Sequence, residues 1–237
     1  MCEIRFYAEL NDFLAPRRRG RSTRHLPAPH ESLKHAIESL GVPHTEVGLV
    51  LVDGEPASLD RRPLREGERI AVYPRWQSIA PLPQQPAPSA FIADAHLGRL
   101  ARYLRFAGFD TLYHDSGSDA ELAAEAAAEH RTVLTRDRDL LMHRDIRHGC
   151  YLRAVEPLAQ LREVATTLRL DLQASRTSRC LLCNQPLQPV AKDEVAHRLP
   201  PRTLAEFNDF WRCAACDRVY WRGSHWGRMR QALQGLA

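Results

Sequence analysis

Four of the chain's six cysteines stand as two C-x-x-C pairs, Cys180/Cys183 and Cys213/Cys216, separated by 29 residues. Each short pair builds a tight knuckle that can point two thiolates at one ion, and two knuckles complete a tetrahedron. A disulfide framework would need an export signal, and the opening MCEIRFYAEL is charged from its third residue and lacks an apolar core. The four thiols are therefore read as ligands of one structural zinc ion, the economical choice, with His197, His225 or an acid as the alternative for one of them. A closed four-cysteine shell leaves no open coordination position, so catalytic zinc is disfavoured. About 60 residues surround the knuckles, too few for a large core, so metal would supply much of that segment's folding energy. Cys2 and Cys150 are isolated and read as reduced thiols, the second in the apolar run CYLRAV of a buried strand.

The rest of the chain divides at SIAPLPQQPAPSA, residues 78–90, which holds four prolines and no charge and reads as an extended linker. A softer boundary lies before the first cysteine pair. The expected domains are 1–77, 91–174 and 175–237. In the first, IRFYAEL, VGLVLV and RIAVYP read as strands, with RRRGR as a basic loop. Ser32 caps a helix whose inner face is Leu33, Ala36, Ile37 and Leu40, and Gly41 ends it. Asp53-Gly54 marks a tight turn. One helix laid across a sheet in this order looks like a ubiquitin-like β-grasp. Related sulfur carriers end in Gly-Gly; here the last strand runs on into Pro74-Arg75-Trp76, so a carrier role is disfavoured. In the second domain FIAD, TLYHD, TVLT and CYLRAV alternate with helical patterns, which predicts a parallel α/β sheet.

Carboxylates follow those strands: Asp94 ends FIAD, Asp115 ends TLYHD, and Asp137 and Asp139 lie in TRDRDL after TVLT. Asp119 opens the helix that starts near Ser118. Chemistry in an open parallel sheet gathers beyond the carboxyl ends of its strands. Acids gathered there would hold one or two Mg²⁺ or Mn²⁺ ions for phosphodiester cleavage. The plainer alternative is that each acid caps the helix behind it. Charge points the same way as the acids: residues 176–237 carry 10 Lys/Arg against 5 Asp/Glu, whereas 78–175 carry 11 against 13. A basic tail beside an acidic middle suits nucleic acid, and also suits an ordinary solvated surface. Candidate RNA contacts are the stripe Arg99, Arg102 and Arg105, Arg136 in the acidic loop, and Arg212, Trp221 and Arg222 beside the second knuckle. About half the aromatic residues near that knuckle (Phe207, Phe210, Trp211, Tyr220, Trp221, Trp226) are expected to cover a small core instead.

DAHLGRLARYLRFAGFDT, LTRDRDL and the knuckles with VYWRGSHW resemble the bacterial members of the Mut-seven C-terminal RNase family, a branch of the PIN-like nucleases with an appended zinc ribbon. FYAELNDFL, GVPHTEVGLVLVDG and the closing VYP resemble the ubiquitin-like domain those proteins often carry. The resemblance implies a PIN-like fold and metal-dependent ribonuclease activity, with Asp94, Asp119 and Asp137 as metal-holding acids and Asp139 and Asp115 supporting. Many PIN nucleases also carry a Glu on an early helix; no Glu is assigned to that role here, and Asp115 is the candidate substitute. The expected partners are RNA and, through the ubiquitin-like domain, a protein; no apolar stretch is long enough to span a bilayer, and the expected location is the cytoplasm. The rival reading is a non-catalytic RNA-binding adaptor of RNA processing or translation.

Overall fold

A computed structural model describes residues 1–59, 62–75, 87–174 and 176–236. The expected linker lies largely, at residues 78–86, outside the described residues. In chain order the elements are β1 (Cys2–Phe6), β2 (Ser22–His25), α1 (Leu33–Ser39), β3 (Val47–Val52), β4 (Glu55–Pro56), β5 (Arg69–Pro74), β6 (Ala90–Ala93), α2 (Gly98–Phe106), β7 (Asp110–Tyr113), α3 (Asp119–Ala128), β8 (Thr132–Thr135), β9 (Gly149–Tyr151) and α4 (Pro157–Leu168). The cysteine-bearing segment adds β10 (Leu187–Val190), α5 (Lys192–Val195), α6 (Pro201–Glu206), β11 (Phe210–Cys213), β12 (Val219–Trp221) and α7 (Ser224–Gln234). Two compact units result: residues 1–86, 119–129 and 135–151 form one, and 87–118, 130–134 and 152–237 the other.

The first unit is built on a mixed sheet in the order β2-β1-β5-β3-β4, with β1 and β5 parallel. Strict alternation along β1 buries Cys2, Ile4 and Phe6 and turns Glu3 and Arg5 outward. Those residues meet Leu33, Ala36 and Ile37 of α1, Val50 and Val52 of β3, and Ile70 and Val72 of β5 in one core. The Ser32 hydroxyl accepts from the His35 N–H, the expected N-cap. Asp53 and Gly54 both take positive φ (50° and 93°), the paired left-handed residues of a type I′ hairpin turn between β3 and β4. The basic loop passes directly into β2, an edge strand whose residues the sequence left unassigned.

The second unit holds three parallel strands in the order β7-β6-β8. β6 buries Phe91, Ile92 and Ala93 together, as a strand covered on both faces must. Leu100, Ala101 and Leu104 of α2 are buried as the helical spacing requires. This unit also holds a three-stranded antiparallel sheet, β10-β11-β12, that carries the second cysteine pair.

Candidate metal centre and carboxylate sites

The two knuckles are built alike. Asn184, directly after Cys183, donates its N–H to the Cys180 carbonyl, and Asp217, directly after Cys216, donates to that of Cys213. The Cys180 N–H in turn reaches the Gln185 carbonyl (2.7 Å), and the Cys213 N–H reaches that of Arg218 (2.9 Å). Both turns close on a left-handed residue, Asn184 at φ 69° and Asp217 at φ 57°. Asn and Asp tolerate that conformation better than other side chains with a Cβ.

The four sulfurs lie within 4.8 Å of one another, a group that could bind a metal such as zinc. Cys180 and Cys216 Sγ atoms are 3.4 Å apart, and those of Cys183 and Cys213 are 3.3 Å apart. A tetrahedral ion with Zn–S bonds near 2.3 Å needs edges of about 3.8 Å, so a small outward relaxation would admit it. Burial pushes the Cys180 thiol up, but the Tyr220 hydroxyl and the amides of Cys183 and Leu182 favour its anion and bring it to about 6. Burial, together with thiol neighbours, pushes Cys183 up to about 12. A thiol that readily gives its anion, Cys180, beside one that holds its proton, Cys183, suits a site that sheds a proton on binding metal. Tyr220 Oη lies 3.1 Å from Cys180 Sγ and accepts from the Leu181 N–H at 3.2 Å. It therefore braces the first knuckle from β12.

That knuckle is tied to the parallel sheet by polar groups. Arg105 of α2 is only 4% exposed. Its Nε donates to the Thr111 carbonyl (2.8 Å), and its Nη1 donates to the carbonyls of Leu181 (3.1 Å) and Leu182 (3.0 Å) between the cysteines. Asn184 Oδ1 accepts from the Thr111 N–H, and Asn184 Nδ2 donates to Asp110 Oδ1 at 2.8 Å. Asp110 also pairs with Arg131 (2.6 Å) and Arg179 (3.2 Å). This corrects the expected Arg99/Arg102/Arg105 stripe: Arg99 and Arg102 are exposed, but Arg105 is buried and its donors are spent on carbonyls. Its place beside Leu104 and Phe106 at the inner end of the helix, facing a knuckle 75 residues further on, is invisible to spacing alone.

Among the aromatics, Phe210 is buried, while Trp211 and Tyr220 pack against the cysteines. The Arg222 guanidinium lies 5.1 Å from the Trp211 ring centre and 5.5 Å from that of Trp226, whose edge meets Phe106. Arg212 and Arg222 are exposed and Trp221 is half-buried.

The carboxylates fall into two settings. In the second unit Asp94 directly follows β6, its N–H bonds the Leu134 carbonyl, and its Oδ1 accepts from the His96 N–H. Asp115 is exposed beyond β7, with the Ser116 hydroxyl 3.4 Å from its Oδ1. In the first unit Asp119 is the exposed first residue of α3. Asp137 donates its N–H to the Thr135 hydroxyl, and its Oδ1 accepts from the amides of Asp139 (2.7 Å) and Leu140 (3.4 Å). Asp139 pairs with Arg138 at 2.9 Å, and Arg136 is exposed. Among the described residues, the cysteines are the one group of three or more His, Cys, Asp or Glu side chains gathered at metal-ligand spacing. Asp110, the first residue of β7, is held by Arg131, Arg179 and Asn184.

Residues 89–233 match the family described as Mut7-C RNAse domain. The chain belongs to that family. Residues 1–80 match its companion, described as Mut7-C ubiquitin. The first unit's sheet is thus the Mut7-C ubiquitin-like domain, and the RNAse match takes in the parallel sheet and the cysteine centre. The match supports a ribonuclease-like function and, with it, RNA as substrate. No curated protein and no solved structure matches the chain. No described helix is long and apolar enough to cross a membrane.

Proposed function

We propose that this Mut7-C protein is a cytoplasmic, divalent-metal-dependent ribonuclease with a PIN-like centre, a zinc-bound C-terminal ribbon and a ubiquitin-like domain, divided near residues 77, 90 and 174. The observation that carries the reading is the RNAse-family match over residues 89–233. Asp94, Asp119 and Asp137 are the acids assigned to Mg²⁺ or Mn²⁺, with Asp139 and Asp115 supporting. Mg²⁺ keeps several of its own waters and takes only one or two carboxylates directly, so the acids need not be preassembled at ligand spacing. Held there, the ion would lower the pKa of a water and offset charge on the departing oxygen. Backbone amides fix one oxygen of Asp94 and one of Asp137, which sets the orientation of each carboxylate. Arg99, Arg102, Arg136, Arg212 and Arg222 supply cations for the phosphates, and Trp221 a ring for a base. Reduced thiols at the zinc site fit a reducing compartment.

The test is cleavage of single-stranded and structured RNAs with Mg²⁺ or Mn²⁺ by the wild type, Asp94→Asn and Asp137→Asn. Each substitution should lower the rate by about a hundredfold or more. Equal rates in all three would trace the cleavage to a contaminant. The amide bonds to Asp94 and Asp137 are also what an ordinary helix or turn cap makes, and they favour a second reading, a non-catalytic RNA-binding adaptor. That reading expects RNA affinity without turnover, lowered by Cys213→Ser and untouched by Asp94→Asn.

A further inference from the structure

The ubiquitin-like domain does not stand apart from the segment that follows TRDRDL; residues 135–151 belong to the same compact unit. Three successive residues of one turn, His44–Glu46, make the connection. His44 Nε2 donates to the Ile146 carbonyl at 2.8 Å, while its Nδ1 lies 2.7 Å from Glu38 Oε1, so α1 sets the ring's orientation. Thr45 is 2% exposed. Glu46 Oε1 accepts from the Tyr151 N–H at 2.8 Å. Beside them Arg75 donates to the Gly149 carbonyl at 3.1 Å, and the Phe13 and Tyr151 rings meet edge-on at 5.0 Å. Gly149 permits this close packing, because a Cβ there would force the end of the Leu141 side chain to shift and would press on Thr45. Leu140, Leu141, Ile146 and Cys150 of the held segment are buried.

We infer that the turn His44–Glu46, with Arg75, is a splint that positions the loop of Asp137 and Asp139. Leu140 and Leu141 directly follow Asp139, and the splint fixes them through Gly149 and the backbone of Ile146 and Tyr151. All three polar contacts are made to main-chain groups, so they register the segment's path rather than its side chains. The ubiquitin-like domain thereby acts first on its own chain, and His44, Glu46 and Arg75 are positioning residues. The splint's effect on cleavage rests on the ribonuclease reading; its effect on the loop does not.

The experiment compares full-length, zinc-loaded wild type with His44→Ala, Glu46→Ala and Glu46→Gln. Amide hydrogen exchange over residues 139–151 and Mg²⁺-dependent cleavage of a single-stranded RNA are both measured. Both alanine variants should speed exchange there by about tenfold, the equivalent of one lost charge-assisted hydrogen bond. They should lower kcat by a larger factor than they raise KM, because of the cations assigned to RNA only Arg136 lies in this loop. Glu46→Gln keeps an oxygen for the Tyr151 N–H and should restore both readouts. If His44→Ala does not fold, Arg75→Gln supplies the same comparison at Gly149. Unchanged exchange in the alanine variants overturns the splint. Faster exchange with unaltered kcat overturns its positioning role. Faster exchange in a protein whose wild type cuts no RNA upholds the splint and removes the nuclease assignment instead.

Discussion

Replacing Arg105 with Met keeps a long, unbranched helix former at the position and removes only the guanidinium. Three carbonyls lose a donor: those of Thr111, Leu181 and Leu182. Thr111 is fully buried, so its carbonyl is left dry at a cost of about 1–3 kcal/mol. Leu181 is half-buried and Leu182 exposed, so water can replace Arg105 there, and each loss is held to about 0.5–1.5 kcal/mol. The sum is centred on about 4 kcal/mol, which for a chain of this size lowers the melting temperature by roughly 8–16 °C. The lost bonds also free the two residues between Cys180 and Cys183, so metal affinity should weaken by about tenfold or more, as when a ligand's outer support is removed. Calorimetry gives the first quantity, and competition of the cobalt-loaded protein with a chelator, followed through the thiolate absorption, gives the second. A melting temperature within about 2 °C of wild type, together with unaltered metal affinity, would show that Arg105 is not the tie between α2 and the first knuckle.

Other consequences are as specific. Cys213→Ser should abolish stoichiometric zinc binding and unfold β10–β12, visible as loss of dispersed amide signals from residues 180–221, because so small a segment depends on its metal. Tyr220→Phe should leave zinc bound yet weaken it, within about tenfold, since Cys180 loses one outer hydrogen bond. Burial raises the Asp110 carboxyl, but the bonds from Arg131 and Asn184 and the charges of Arg131 and Arg179 outweigh it and leave it below its ordinary 3.8. A depressed folded-state pKa contributes stability that is present above 3.8 and is lost as pH falls through the folded value. Asp110→Asn should therefore melt below wild type at neutral pH, and the gap should close under acid titration below that point. A gap that widens in acid would reverse the assignment.

What was legible in the sequence was periodic or punctuated. Alternation gave β1, β3 and β5; Ser32 and Gly41 bounded α1; Asp53-Gly54 gave the hairpin; and the cysteine spacing gave the cluster of four thiols. Asn184 and Asp217 were legible in principle, since a residue tolerant of positive φ stands directly behind each C-x-x-C. The edge strand β2 was not, because its residues Ser-Thr-Arg-His carry no apolar alternation and pair only by backbone with β1. Arg105 was misread for a physical reason: helical periodicity fixes the face on which a side chain starts, not where a long one ends. An arginine at the edge of an apolar face can reach solvent or fold inward over its own stem, and only carbonyls 76 and 77 residues away decide.

The misreading of Arg105 and the unforeseen role of His44–Glu46 have a common root. In each unit an accessory segment is held to the segment it serves by side chains that engage main-chain groups: Arg105 at Leu181 and Leu182, Arg75 at Gly149, His44 at Ile146, and Glu46 at the Tyr151 amide. Main-chain groups are present whatever the local sequence, so no complementary residue marks the receiving end, and pattern reading finds nothing to pair. The same property makes such ties demanding of path, because a carbonyl shifted by a residue points elsewhere. A substitution on the receiving side, such as Leu182→Ala, removes no bonding atom and should leave stability within about 0.5 kcal/mol of wild type, whereas Leu182→Pro, which forces φ and deletes the N–H that favours the Cys180 anion, should disrupt the knuckle and its metal. Equal effects of the two would mean that side-chain contacts, not the path of the backbone, hold the knuckle in place.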